Sequence, residues 1–147
     1  MMQFQRIYDE KRLYEAIYIS FFGDNELLQK YHIVGGNLED CVRDTFDKCV
    51  EASRIVPLEF FEVYIDDVKV GFTVISRTYS NLYSFAINIK FRGESALTEW
   101  FDILTKLLNS EFTCALWAKN QRAIEFLKKH GMEIFEKDGS VTKLKYS

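Results

Sequence analysis

The sequence predicts an α+β domain: a mixed, mostly antiparallel sheet flanked by helices, with one β-loop-α-β crossover at its centre. Three observations carry this. From Leu58 onward β-branched and aromatic residues dominate, and Asp66-Asp67 sits between Phe60 to Ile65 and Val68 to Ser76 as a two-residue hairpin turn. Next, a strand-like run from Leu82 to Phe91 passes through Arg92-Gly93 into a helical stripe of Leu97, Trp100, Phe101, Leu104, Leu107 and Leu108. Finally, Phe112 to Ala118 returns to strand character, so two strands bracket that helix in the pattern of a crossover.

Composition is that of one well-filled domain over residues 1–147, with 48% hydrophobic and 16% aromatic residues. The net charge of −3 gives no ground for a general nucleic-acid surface. No apolar run approaches a membrane span, and MMQFQRIYDEKR lacks a signal-peptide core. Cys41, Cys49 and Cys114 are odd in number and without CxxC spacing, which points to reduced thiols and a cytoplasmic setting. His32 and His130 do not sit at ligand spacing, so no metal site is expected.

Taken in order, Met2 to Ile7 alternates as a short strand, and Asp9 is placed to cap a helix over Glu10 to Ile19. Phe21 to Gly36 is mixed, with a helical turn at Leu27-Leu28 and a break at Gly35-Gly36. Asn37 then caps a stripe of Leu38, Cys41, Val42, Thr45, Phe46 and Cys49, whose cysteines read as core rather than catalytic. Pro57 separates this helix from the sheet, and Arg77 to Asn81 connects two strands. The expected strand from Leu82 to Phe91, turn and helix follow. Asn120 is placed to cap a helix from Gln121 to His130, and Gly131 to end it in left-handed geometry. Met132 to Glu136 and Val141 to Tyr146 close the chain as a hairpin about Lys137-Asp138-Gly139-Ser140.

The β-turn-α junction leaves backbone N–H groups at the start of the helix, a possible phosphate site. Two runs give that junction a context. Ile87-Asn88-Ile89-Lys90-Phe91-Arg92-Gly93 and Asn120-Gln121-Arg122-Ala123-Ile124-Glu125-Phe126-Leu127-Lys128-Lys129-His130-Gly131-Met132 resemble motifs of the GCN5-related N-acetyltransferases. Those motifs read hydrophobic-x-Pro-x-aromatic-Arg-Gly and Asn-x-x-Ala-Ile-x-hydrophobic-Tyr-x-x-x-Gly-Phe. The element order from Met2 to Tyr146 fits the same family.

The resemblance implies a fold, a cosubstrate and a set of residues. Arg92, Gly93, Glu94, Ser95, Ala96 and Leu97 would wrap the pyrophosphate of acetyl-CoA with backbone N–H groups. Ile87 and Ile89 would offer strand backbone to the pantetheine arm, which lies where this strand splays from Phe112 to Ala118. Asn120 would hydrogen-bond the cosubstrate or simply cap its helix. Two departures are visible. Ser95 and Leu97 stand where the family loop has small residues, and a left-handed Ser95 would add roughly 1–2 kcal/mol of strain. Leu127 replaces the tyrosine that often serves as acid, and leucine cannot transfer a proton. Tyr83, Asn88 and Glu62 are the polar candidates near the strand cleft, against the reading of ordinary strand surface or satisfied core groups.

Two function classes follow. One is an acyl-CoA-dependent N-acetyltransferase acting on an unidentified amine by direct attack on the thioester. The other is a degenerate member of the fold serving as a binding or structural protein, reminiscent of phage-encoded virion or assembly proteins. That second class implies a protein partner or homodimer and a place inside a virion. An open slot between the central strands favours the first, and exposure of Phe21, Phe22, Phe60, Phe61, Tyr79 and Tyr83 the second.

Overall fold

The computed structural model describes residues 1–30 and 37–147, and of residues 29 and 30 the backbone only. The Gly35-Gly36 break and His32 lie outside the described residues. The elements run β1 (Met2–Ile7), α1 (Glu10–Phe21), α2 (Asn25–Lys30), α3 (Leu38–Ser53), β2 (Glu59–Ile65), β3 (Val68–Ser76) and β4 (Asn81–Ile87). A 3-10 turn (Ile89–Phe91) leads to α4 (Glu94–Leu107), β5 (Phe112–Trp117), α5 (Gln121–Lys129), β6 (Glu133–Asp138) and β7 (Val141–Tyr146).

The strands form one sheet in the order β1-β2-β3-β4-β5-β7-β6. The β4–β5 pair is parallel and every other pair antiparallel. This is the expected mixed sheet with one crossover, and local chemistry explains its turns. Asp66 (φ 48°) and Asp67 (φ 68°) take the left-handed backbone a two-residue hairpin needs. Asp9, Asn37 and Asn120 each accept a first-turn N–H and so cap α1, α3 and α5. Gly131 (φ 102°) ends α5 in left-handed geometry.

Alternation along the strands builds two cores. On one face Phe61, Val63, Ile75 and Leu82 pack against Trp100, Phe101 and Leu104 of α4 and Ile124 and Leu127 of α5. On the other, Phe72 and Val74 meet Leu13, Ala16 and Ile17 of α1 and Cys41, Val42 and Cys49 of α3. Trp100 is fully buried, stacks on Phe85 at 4.8 Å, and donates its indole N–H to Thr73 Oγ1 at 2.9 Å. Its large apolar area and its polar tip are therefore both satisfied. Cys41 and Cys49 are core residues, as the stripe predicts.

Three local expectations are corrected. The strand ends at Ile87 rather than Phe91. Asn88 Oδ1 takes the Lys90 N–H at 3.0 Å, and Asn88 O takes the Phe91 N–H at 2.9 Å, which folds Ile89 into a turn. Ser95 lies in the first turn of α4 and is not left-handed, so the strain considered for it does not arise. The closing strand runs on to Asp138, leaving Gly139-Ser140 as the turn.

Candidate active site

The parallel pair at the centre of the sheet is short. Asn81 lies opposite Thr113 and Leu82 opposite Cys114, and the register stops there. The cause is visible in β4. Opposite β3, Val74 pairs with Ser84 while Ile75 pairs with Leu82, so Tyr83 is the extra residue of a β-bulge. A bulge bends its strand and interrupts the ladder. Beyond it β4 and β5 diverge around a cleft of about 470 Å³, a volume ordinary for a small-molecule site. Gly71 lets β3 lie close against the far part of β4, since a Cβ there would clash with Ala86 O.

Tyr83 to Ile87 form one lip of the cleft and Ala115 to Trp117 the other. Its walls are mostly apolar, with Trp100 and Phe126 on the α4–α5 side and Phe21, Cys41 and Cys49 on the α1–α3 side. The Cys49 thiol is pushed up to about 12 by burial, with the Ser84 hydrogen bond acting in the opposite direction. It is a neutral wall and not a nucleophile.

Of the segment expected to hold phosphate, Arg92 and Leu97 line the cleft, whereas Gly93, Glu94, Ser95 and Ala96 lie outside its lining. Gly93 is the N-cap of α4, no side chain caps that end, and the first backbone bond into the helix is Leu97 N–H to Gly93 O at 3.0 Å. The amides of Glu94, Ser95 and Ala96 precede that bond, at the positive end of the helix dipole. A Cβ on Gly93 would meet nothing within 4 Å, so the approach is clear. Leu97 turns partly into the core while also lining the cleft. Glu94 is exposed and is held below the usual carboxylate range by its hydrogen bond from Lys129, at 2.7 Å.

The other sequence candidates are placed unequally. Ile87 reaches the cleft, but its carbonyl accepts from Arg92 Nε at 2.6 Å, and Ile89 lies in the turn outside the lining. The Arg92 guanidinium also binds Asp24 at 2.6 Å, and Asp24 in turn accepts the Leu27 N–H of α2. Arg92 thus ties the loop before α4 to the start of α2. Asn120 lines the cleft while its Oδ1 accepts the Ala123 N–H at 3.3 Å. Tyr83 lines the cleft, and burial pushes its phenol up, with Cys49 and Glu51 acting the same way.

Asn88 and Glu62 do not line it. Asn88 is buried and donates to the carbonyls of Ile19 (2.7 Å) and Phe22 (3.0 Å), tying down the end of α1. Glu62 is fully buried on β2 between Arg12 (2.7 Å) and Lys69 (2.6 Å). Burial pushes its carboxyl up, but hydrogen bonds from Lys69 and Arg12 and their charges outweigh it and hold the group below its ordinary value. Leu127 is fully buried in the core, and its neighbour Phe126 faces the cleft. Of the cleft aromatics Phe85, Trp100 and Phe126, periodicity singled out only Trp100, and as part of a helical stripe, since a pocket wall and a core share one signal. Among the described residues no His, Cys, Asp and Glu group could hold a metal ion. No described helix is long and apolar enough to cross a membrane.

No protein-family model and no curated protein matches the sequence. Solved structures do. A PaiA N-acetyltransferase from Thermoplasma acidophilum, in complex with coenzyme A, aligns with a TM-score of 0.64 at 16% identity, over 99% of this chain and 98% of that one. An acetyltransferase from Thermus thermophilus aligns at 0.72 and 16% identity, over 99% and 96%. A GCN5-related N-acetyltransferase from Rhodopseudomonas palustris aligns at 0.67 and 16% identity, over 100% and 94%. The similarity spans the whole sheet and both helical layers. The chain therefore has the fold of the GCN5-related N-acetyltransferases.

Proposed function

We propose that this chain is an acyl-CoA-dependent N-acetyltransferase that moves an acetyl group from acetyl-CoA to an amine. The observation that carries the reading is the cleft beside the Tyr83 bulge, lined by Arg92 and Leu97 on either side of the uncapped start of α4. A splayed strand pair with free backbone groups suits an extended, amide-bearing arm, and an uncapped helix start suits its pyrophosphate. That a similar structure was solved with coenzyme A supports the same reading.

In this reading the amides of Glu94, Ser95 and Ala96 face the pyrophosphate, and Gly93 keeps their approach open. Arg92 acts through its tie to Asp24 by fixing the loop. The β4 lip takes the arm from Tyr83 to Ile87, and Ile89 has no part. Backbone N–H groups of that lip polarise the thioester carbonyl. The amine nitrogen bonds to the carbonyl carbon, the carbon–sulfur bond breaks, the nitrogen loses a proton and the thiolate gains one. With Leu127 in the core, Tyr83 is the cleft phenol best placed to supply that proton. Positioning provides much of the acceleration in such direct attack.

The test is thermal unfolding with acetyl-CoA, checked by calorimetric titration and by thiol release over a panel of amines. Ligand at about a hundred times its Kd stabilises the fold by about 2.7 kcal/mol. A chain of this size then unfolds roughly 5–10 °C higher. No shift and no heat at millimolar acetyl-CoA overturns the reading. The second reading, a binding or structural protein on this scaffold, draws on the buried Leu127 and on the exposure of Phe22 (52%) and Tyr79 (64%). It predicts that null result together with capture of a protein partner. Phe21 and Phe61 are buried, which weakens it.

A further inference from the structure

Lys48 of α3 brings an amine of the chain's own to the cleft. Its Nζ lies 2.9 Å from Asp44 Oδ2 and 5.3 Å from the ring centroid of Trp117. Lys48, Asp44 and Trp117 all line the cleft. An Asp-to-Lys pair one turn apart on a helix is common and worth little by itself. Here the third group comes from β5, the opposite lip, so the ammonium spans the gap between α3 and the sheet. A carboxylate beside an indole face is a pair of groups that recognises alkylammonium ions. Tyr83, whose hydroxyl lies 3.5 Å from the Lys48 carbonyl, forms the adjoining wall.

The occupant is loosely held. The Lys48 side chain is 52% exposed and that of Asp44 28%, so the lysine can swing into solvent on its flexible stem. We infer that Asp44 and Trp117 form a subsite for a primary alkylammonium group, which the ammonium of Lys48 fills when no ligand is present. This rests on the proposed transferase reading for its use, because there the ligand is the acceptor amine. It makes Asp44 and Trp117 specificity-determining and Lys48 an internal competitor. Displacing a tethered competitor weakens apparent binding by the ratio of its effective concentration to its own dissociation constant.

The test needs no acetyl-CoA. n-Butylammonium chloride is titrated into the wild-type chain, Lys48→Ala, and Lys48→Ala with Asp44→Asn. The indole N–H signal of Trp117 is followed by nitrogen–proton NMR and assigned with Trp117→Phe. Saturable shifts are expected in Lys48→Ala, with binding about tenfold tighter than in the wild type. The double variant is expected to lose them, and n-butanol to give none. Lys48→Gln provides the same comparison should the alanine variant fail to fold. Equal affinity in the wild type and the Lys48 variants, no saturable shift, or binding kept after Asp44→Asn overturns the subsite. The two readings separate cleanly: acetyl-CoA binding without butylammonium binding removes only the subsite. The opposite pattern removes only the transferase.

Discussion

At the residue scale, the structure divides polar groups that the sequence presents alike. Asn120 and Glu62 show why their roles need different tests. Asn120 caps α5 through Oδ1, which leaves its amide nitrogen as the atom available to a ligand. Asn120→Asp keeps the cap and removes that donor, whereas Asn120→Ala removes both. We expect the alanine variant to lose about 1 kcal/mol of stability and the aspartate variant almost none. Both should bind acetyl-CoA more weakly in calorimetric titration. Unchanged affinity in both would leave Asn120 as a cap alone.

Glu62 is a stability residue by its surroundings, and the sign of its pH dependence follows. Its folded pKa is lowered from 4.5, so its contribution is fully present above that value and is lost as pH falls through the folded pKa. Glu62→Gln at neutral pH strands Arg12 and Lys69. The loss should fall short of the 3–5 kcal/mol typical of a fully buried pair, because the Arg12 side chain is 44% exposed and can rehydrate. The gap between wild-type and variant melting temperatures should therefore narrow as pH drops below that range. A gap independent of pH would contradict the assignment.

At the scale of elements, the start of α4 is the decisive feature. Its amides can satisfy either a side chain or a ligand. Gly93→Asp supplies both a capping oxygen and a negative charge at that point. The expected result has opposite signs in two measurements: melting temperature holds or rises slightly, while acetyl-CoA affinity falls by about tenfold or more. Parallel changes in both would show that the helix start does not meet the anion. Most elements were legible in the sequence because turn chemistry and periodicity agreed, as at Asp66-Asp67, Asn37 and Gly131. The end of β4 was not. Asn88-Ile89-Lys90-Phe91 reads as strand by composition, and Asn88, accepting Lys90 N–H on its side chain and Phe91 N–H on its carbonyl, converts it to a turn. The Tyr83 bulge left no Gly or Pro signal, since Tyr83 does not take the left-handed backbone that would call for glycine.

At the scale of the whole molecule, the sheet is nearly divided where function is proposed. Among the described residues, the β1–β4 and β5–β7–β6 halves share only the Asn81–Thr113 and Leu82–Cys114 strand pairings. They are otherwise joined by the core beneath α4 and α5 and by side-chain contacts such as Asn81 to Thr113 and Lys48 to Trp117. The fold was legible from element order and the two motif runs. The cleft's chemistry was not, because its walls come from seven separated elements and read singly as core. A ligand in the cleft would add a further link between the halves, and amide hydrogen exchange can report this. Amides that exchange only through global unfolding should slow throughout the chain, by up to about a hundredfold with ligand at a hundred times Kd. Amides that exchange through local opening should slow only where the ligand touches. The transferase reading places those at Tyr83 to Ile87, Glu94 to Leu97 and Ala115 to Trp117, while the fast amides of the β6–β7 turn stay unchanged. Slowing confined to another surface would move the ligand site away from the strand cleft, because no global mechanism protects one patch of locally opening amides and spares the rest.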